Sequence, residues 1–427
     1  MVTGHTAPRR RIAVIGSGIS GLTAAHILSR QADVTLLEAD DRLGGHAHTH
    51  RVATATGAEL SVDSGFIVHN RRTYPHLLRL FDELGVPTRP TEMSMSVSCD
   101  GCGLEYAGAR GLPALAPNRS RRSTAYLRML AEVPRFHRAA RRTLDTGPPS
   151  PVREPTLGDF ARHYRFDGYF VAHFLLPLVS AVWSCPPGTA LDYPARYLFA
   201  FLRHHGMLSV WGSPSWRTVE GGSHVYVEKV VAGLASVRTG APVTALARTD
   251  RGVGLRVGSE ELEFDAAVVA THADQALALL ASPTPVQKEV LGAFGYSRNR
   301  TLLHTDTGVL PRDRATWASW NHRLSSCEPD AAPVRVSYHM NRLQHLTGDE
   351  QYVVTLNDGG AVGSERVVAA MDYAHPVYTP ASVAAQRRLG ELNDGVVAFA
   401  GAHHGWGFHE DGCRSGAVAA ESLGVRW

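Results

Sequence analysis

The chain opens on an unbroken apolar run, Ile12-Ala13-Val14-Ile15, followed at once by a glycine-rich turn. Such a run predicts a strand buried on both faces. A helix is expected after this turn, and a second apolar run, Val34-Thr35-Leu36-Leu37, predicts the next parallel strand. The first forty residues therefore read as a βαβ unit. Alternating apolar character reappears from Ser61 to Val68, Tyr74 to Leu84 reads as a helix closed by Gly85, and Asp100-Gly101 sits between two arms of a hairpin, Val97–Cys99 and Gly103–Tyr106. Between Arg119 and Arg142, Tyr126, Leu127, Leu130, Val133 and Phe136 fall at helical spacing, while Pro134 argues against one straight helix. A proline-rich connection, Gly147 to Pro155, precedes Thr156, which with Asp159 predicts a capped helix start.

Phe160 to Trp216 is aromatic-rich, with Trp183, Tyr193, Tyr197, Phe199, Phe201, Trp211 and Trp216, and suits either an apolar pocket or a packed helical core. A helix from His224 to about Leu234 and short strands at Val243–Leu246 and Gly254–Val257 follow. Phe264 to Ala270 suits a strand returning to the first sheet. Arg300–His304, Val334–Met340 and Tyr352–Leu356 supply strands elsewhere, and Val396–Ala400 returns a last time before a glycine-flanked helix.

Length sets the scale: 427 residues call for two or three domains. With 44% hydrophobic and 19% charged residues the chain reads as soluble and globular, and a net charge of +3 gives no argument for nucleic acid. No stretch is apolar enough to span a bilayer, and the polar leader Met1–Arg11 leaves no room for a secretory signal, so cytoplasmic residence is the expectation. The arginine-rich helix leaves peripheral membrane contact open. Lys229 and Lys288 are the only lysines. Cys99 and Cys102 have ligand-like spacing, yet no second close pair follows, so they read as a turn holding two thiols and no metal is expected.

The chemistry begins at Gly16-Ser17-Gly18-Ile19-Ser20-Gly21. A strand turning into a helix beside a pyrophosphate needs Gly16 for the turn, Gly18 for room and Gly21 for close helix–sheet packing, and the helix N-terminus then faces the anion. Glu38, 22 residues after Gly16, is placed to take ribose hydroxyls and to repel a 2′-phosphate, which favours FAD or NAD over NADP. Glu38-Ala39 leads into Arg42-Leu43-Gly44-Gly45-His46, a second place where backbone can approach a ligand.

These motifs, with Asp63-Ser64-Gly65-Phe66, Gly221-Gly222, Trp183-Ser184, Trp216–Val219, Trp320-Asn321 and Gly405–Gly412, resemble the flavin-containing amine oxidase superfamily over nearly the whole chain. The nearer resemblance is to a bacterial group of amine-oxidoreductase-like proteins linked to fatty-acid modification. It implies an α/β plus α+β fold: a glutathione-reductase-like FAD-binding domain over residues 1–75, 215–272 and 385–427, and a mixed-sheet and helical substrate domain over 76–214 and 273–384. It implies FAD, with Gly16–Gly21, Glu38, Ala39, Arg42, Gly44, Gly45, His46, Val243 at adenine, Gly401 at the pyrophosphate, and Asp411-Gly412 opening a helix toward the flavin pyrimidine. The pattern departs from the superfamily at His46, at Ala402, and at Asn299-Arg300-Thr301-Leu302, where many amine-oxidising members place a lysine near flavin N5.

The resulting expectation is an FAD-dependent desaturase or dehydrogenase passing hydride from an apolar fatty-acyl or related lipid substrate to flavin N5. The alternatives are a double-bond isomerase, an amine oxidase or a non-catalytic flavin-binding accessory protein. His69, His404, His409 and Glu410 are the candidate proton-transfer groups, Arg300 a candidate for orienting a carboxylate or water, and Tyr338 a weaker candidate for orienting substrate.

Overall fold

A computed structural model describes residues 9–54, 57–108, 110–115, 123–146, 154–209, 212–328 and 334–427. Trp211, Arg119 to Arg122, most of the leader and most of the proline-rich connection lie outside the described residues. The first apolar run forms the strand Arg10–Ile15 at the centre of a five-stranded parallel sheet. Its order is Ser236–Arg238, Ala32–Leu37, Arg10–Ile15, Ala266–Val269 and Val397–Phe399, so this sheet is assembled from three distant parts of the chain. Ile12, Ala13, Val14, Val34, Leu36 and Val268 are all at most 1% exposed, as a strand covered on both faces requires. The helix Ile19–Leu28 lies on one face and packs against the terminal helix His409–Ser422, where a Cβ on Gly416 would stand 2.2 Å from the Ser20 carbonyl oxygen.

Phe264 to Ala270 divides. Phe264 closes the strand Glu260–Phe264 of a small antiparallel sheet, and Ala266 begins the strand of the parallel sheet. Asp265 makes the break by pairing with the Arg11 backbone through both its N–H and its carboxylate.

A seven-stranded mixed sheet carries the second half of the architecture, in the order Val367–Val377, Gly295–His304, Val353–Leu356, Arg335–His339, Trp320–Leu324, Met95–Cys99 and Glu105–Gly108. The Asp100-Gly101 hairpin forms its edge. Against it lies a helical layer with an aromatic core of Phe136, Phe160, Phe166, Phe170 and Phe199. Thr156 and Asp159 form the expected capping box of the helix Leu157–His163. The helix Thr124–Asp145 is continuous through Pro134, held by a buried face of Tyr126, Met129, Phe136 and Ala140. Among the described residues no helix is long and apolar enough to cross a membrane.

The reading of Cys99 and Cys102 as an isolated pair of thiols is corrected too. The fold brings His173 and Cys327 to them, so that four potential ligand atoms lie within 4.8 Å of one another.

Candidate active site

The parallel sheet ends in a turn that only glycine can make. Gly16 has φ +99°, and a Cβ there would lie 2.7 Å from the Ala270 carbonyl oxygen. A Cβ on Gly21 would lie 1.9 Å from the Gly16 oxygen, which fixes how closely helix and turn approach. At the next strand end, Glu38 Oε2 accepts from the Ser17 N–H at 2.8 Å and from the Ser17 hydroxyl, while Oε1 accepts from the Asp40 N–H at 3.0 Å. The Ser17 hydroxyl oxygen in turn accepts from the Gly44 N–H at 3.0 Å. Gly45 is stacked over Gly18, so the two glycine segments form one cradle.

This cradle opens into a cavity of about 1580 Å³. The volume exceeds the roughly 300–1,000 Å³ of a pocket for one small ligand. Four residues lining it carry buried side-chain nitrogens without a hydrogen-bond partner among the described residues: Arg42 Nη1, His46 Nε2, His403 Nε2 and Trp406 Nε1. Each buried donor left unpaired costs about 1–3 kcal/mol, so the cavity is built for a polar ligand. The chemistry fits FAD: an arginine beside a glycine turn for pyrophosphate, a carboxylate at the strand end for ribose, and neutral hydrogen-bonding rings farther in.

Of the sequence-derived cofactor residues, Gly16, Ser17, Gly18, Ile19, Ser20, Glu38, Ala39, Arg42, Gly45, His46, Val243 and Gly401 line the cavity. The remaining four sit one layer behind it. Gly21 packs on Gly16, Gly44 holds Ser17, and Gly412 packs against Ile19. Asp411 accepts from the Phe408 N–H at 3.1 Å and pairs with Arg414. Burial pushes its carboxyl up to about 6 against the opposing pull of those two partners.

The catalytic candidates separate. His409 lines the cavity; its ring is stacked on Phe66 with centroids 3.7 Å apart, and its Nε2 lies 3.2 Å from the Tyr226 hydroxyl. Glu410 is corrected to a structural role, because its carboxylate takes the His76 and Leu77 N–H groups and the His76 ring, capping the helix Pro75–Leu84. His69 is buried behind the wall among Phe66, Tyr74 and Phe81, and His404 is likewise absent from the lining. Arg300 is exposed and is not part of the lining, although Asp372, opposite it on the neighbouring strand, is. Tyr338 does face it.

Sequence reasoning passed over Tyr373 and His375, which share one face of the strand Val367–Val377 by their spacing of two. The Tyr373 hydroxyl lies 2.7 Å from Ser64 Oγ and 2.9 Å from His48 Nδ1, and its ring and that of His375 flank His46. Their period-two pattern was the available signal. Burial holds the His375 pKa down to about 4 and those of His48 and His409 down to about 3, so these imidazoles are neutral at pH 7. His46 and His403 are pushed down in the same direction for the same reason.

Beyond the cradle the cavity extends into the helical layer, past Leu130, Val133, Pro134 and His137 of one helix and Phe174, Leu178, Val182 and Trp183 of another segment. Among the described residues, the lining side chains from this layer include no Asp, Glu, Lys or Arg. Its wall is tied to the carboxyl-terminal loop: Trp183 Nε1 donates to the Trp406 carbonyl at 3.0 Å, and the Tyr197 and Tyr378 hydroxyls donate to the Gly405 carbonyl, each at 2.8 Å.

A split parallel sheet, a glycine cradle and a large cavity between cradle and helical layer define an FAD-dependent oxidoreductase. The chain belongs to the flavin containing amine oxidoreductase family, whose pattern matches residues 19–304. Among curated proteins it is 29% identical over 290 residues to AofH of Mycobacterium tuberculosis, named for flavin-containing monoamine oxidase activity; the match covers 60% of this chain and 55% of AofH. The chain thus spans about half the length of the curated relatives it matches over the longest stretches. Among solved structures, cyclohexylamine oxidase from Brevibacterium oxydans superimposes with a TM-score of 0.68 at 16% identity, covering 97% of this chain and 99% of its own. A fatty acid isomerase from P. acnes superimposes with a TM-score of 0.66 at 16% identity, covering 96% and 98%. One fold thus carries an amine oxidase and a fatty-acid isomerase.

Proposed function

We propose that the protein oxidises a C–H bond of an elongated apolar substrate, a fatty-acyl chain or related lipid, by two electrons. FAD bound in the cradle supplies the two-electron acceptor that side chains lack. The observation that carries this reading is the extension of the cavity into the helical layer without a charged side chain among the described residues. An amine with a pKa near 10 would have to lose its proton to enter, at a cost of about 4 kcal/mol at pH 7, whereas an acyl chain gains about 0.8 kcal/mol for each buried methylene. Neither Lys229 nor Lys288 lines the cavity. The residues on hand position substrate and exclude water: Trp183, Trp406 and Phe408 supply apolar walls, and Tyr373 and the neutral His409 supply hydrogen-bonding groups.

Kinship favours a second reading. AofH is named for amine oxidation, so the sequence relatives support the amine-oxidase alternative better than lipid desaturation. In that reading a neutral amine would lie against the aromatic wall. Anaerobic mixing of the flavin-loaded enzyme with fatty acids, acyl lipids and amines separates the cases. Loss of oxidised-flavin absorbance with acyl substrates is the expected result, loss with amines alone overturns it, and a shifted double bond without net flavin reduction selects isomerisation.

A further inference from the structure

We propose that Cys99, Cys102, His173 and Cys327 form a structural zinc site, apart from the flavin cavity. Cys99 Sγ and Cys327 Sγ are 3.8 Å apart, and Cys102 Sγ and His173 Nε2 are 3.6 Å apart. A tetrahedral Zn²⁺ with bonds of about 2.3 Å to sulfur and about 2.0–2.1 Å to nitrogen sets edges of about 3.8 Å between sulfurs and about 3.6 Å between sulfur and nitrogen. Those two edges already have the required lengths. With all four atoms inside 4.8 Å, the widest edge has about 1 Å to close.

The surroundings prepare each ligand. His173 Nδ1 lies 3.0 Å from the Tyr169 carbonyl oxygen, a bond that puts the proton on Nδ1 and leaves the Nε2 lone pair facing Cys102. The turn through Gly103, at φ +70°, directs the Gly101 and Cys102 N–H groups to the Cys99 sulfur and the Leu104 N–H to the Cys102 sulfur. Backbone donors of this kind stabilise thiolate charge. His173 comes from a π-helical turn, Val171–Leu175, a kind of helix distortion frequent at functional sites. Three thiols and one imidazole gathered within 4.8 Å select Zn²⁺ over oxygen-seeking cations. Binding exchanges three thiol protons, released to solvent, for three Zn–S bonds and leaves every oxidation state unchanged. Cys102 is exposed and gives the ion an entry path.

The site would clamp three separate pieces: the edge hairpin, the helical layer, and the segment after the strand Trp320–Leu324. Phe174, next to His173, lines the substrate end of the cavity, so the clamp would hold that wall in place. A disulfide between Cys99 and Cys327 is the competing use of the same atoms, and it leaves Cys102 and His173 without a shared role.

The test uses the purified, FAD-containing protein. Metal analysis after desalting is expected to find about one zinc per chain, and exchange with Co²⁺ to give the visible absorption of a tetrahedral thiolate complex. Iodoacetamide should modify Cys102 only after treatment with a strong chelator. Cys102→Ser should lower zinc content at least tenfold and leave FAD per chain unchanged. If that variant fails to fold, the measurements on the unaltered protein decide. Less than a tenth of a zinc per chain after incubation with Zn²⁺, free alkylation of Cys102 before chelation, or a Cys99–Cys327 disulfide in the purified protein would each overturn the site.

Discussion

The imidazole of His409 lies flat on the phenyl ring of Phe66, with planes 13° apart and Nε2 turned to the Tyr226 hydroxyl. Burial holds the ring neutral, with its pKa lowered to about 3 first by desolvation and then by the nearby His69. A group this weakly basic shapes the pocket but does not drive proton removal at pH 7. His409→Phe is therefore expected to keep its flavin and to slow flavin reduction less than about 100-fold, below the usual range for loss of a general base. The acidic limb of its pH–rate profile should not move. A larger loss with a displaced limb would make His409 the base.

Gly18 and Gly21 separate folding from binding. A Cβ at Gly21 meets backbone oxygen at 1.9 Å, whereas a Cβ at Gly18 meets nothing within 4 Å and projects beside the cavity. Gly21→Ala should cost about 3 kcal/mol or more and lower the melting temperature of the flavin-free protein. Gly18→Ala should leave that temperature nearly unchanged while flavin retention falls.

Glu38 links Ser17 to the strand end and presents a carboxylate to the cavity. Replacing it by Ala removes both, and FAD dissociation measured by recovery of flavin fluorescence should show roughly 10- to 100-fold weaker binding. Unchanged affinity would exclude a ribose contact.

Acid should destabilise the protein. Burial depresses His48, His205 and His409 to about 3, and His69, His137, His304, His322 and His375 to about 4. As pH falls below 6.5 the unfolded chain binds protons at these positions that the folded chain refuses, so stability drops until the folded values are reached. Asp63 and Asp411, raised to about 6 by burial, act in the opposite sense between about pH 6 and 4, but they are two against eight. The melting temperature at pH 5 should lie at least about 5 °C below that at pH 7. A higher value at pH 5 would show that the carboxylates dominate.

Val133 lines the part of the cavity that extends into the helical layer, where the proposed acyl chain would lie. Val133→Trp should raise KM for long acyl substrates at least tenfold while leaving short ones within about threefold. Equal effects on both would place the substrate elsewhere.

The parts legible in the sequence were those whose cause is local. The strand Arg10–Ile15, its glycine turn, the Thr156–Asp159 cap and the Asp100-Gly101 hairpin each follow from a few neighbouring residues. The strand Trp320–Leu324 was hidden because its central residues, Asn321 and His322, are polar yet buried, with the Asn321 amide bonded to Ser96 and to the Ser337 carbonyl across the sheet. Val367–Val377 was missed because Asp372 and Pro376 interrupt its apolar pattern, which an edge strand tolerates. The candidate proton-transfer groups were the least legible. Glu410 looks catalytic beside histidines in sequence, but the approach of His76 from 334 residues away turns it into a helix cap. His173 and Cys327 likewise join Cys99 and Cys102 only through tertiary packing.

The order of the parallel sheet also bears on how the chain is made. Its central strand, Arg10–Ile15, leaves the ribosome about 380 residues ahead of one edge, Val397–Phe399, and of the helix His409–Ser422. At about 5–20 residues per second, Arg10–Ile15 waits roughly 20–80 s for those partners. During that interval an apolar strand meant to be covered on both faces lacks its full cover. The yield of native protein should therefore depend on translation speed and on chaperones that shield this strand until Val397–Phe399 and the helix His409–Ser422 emerge.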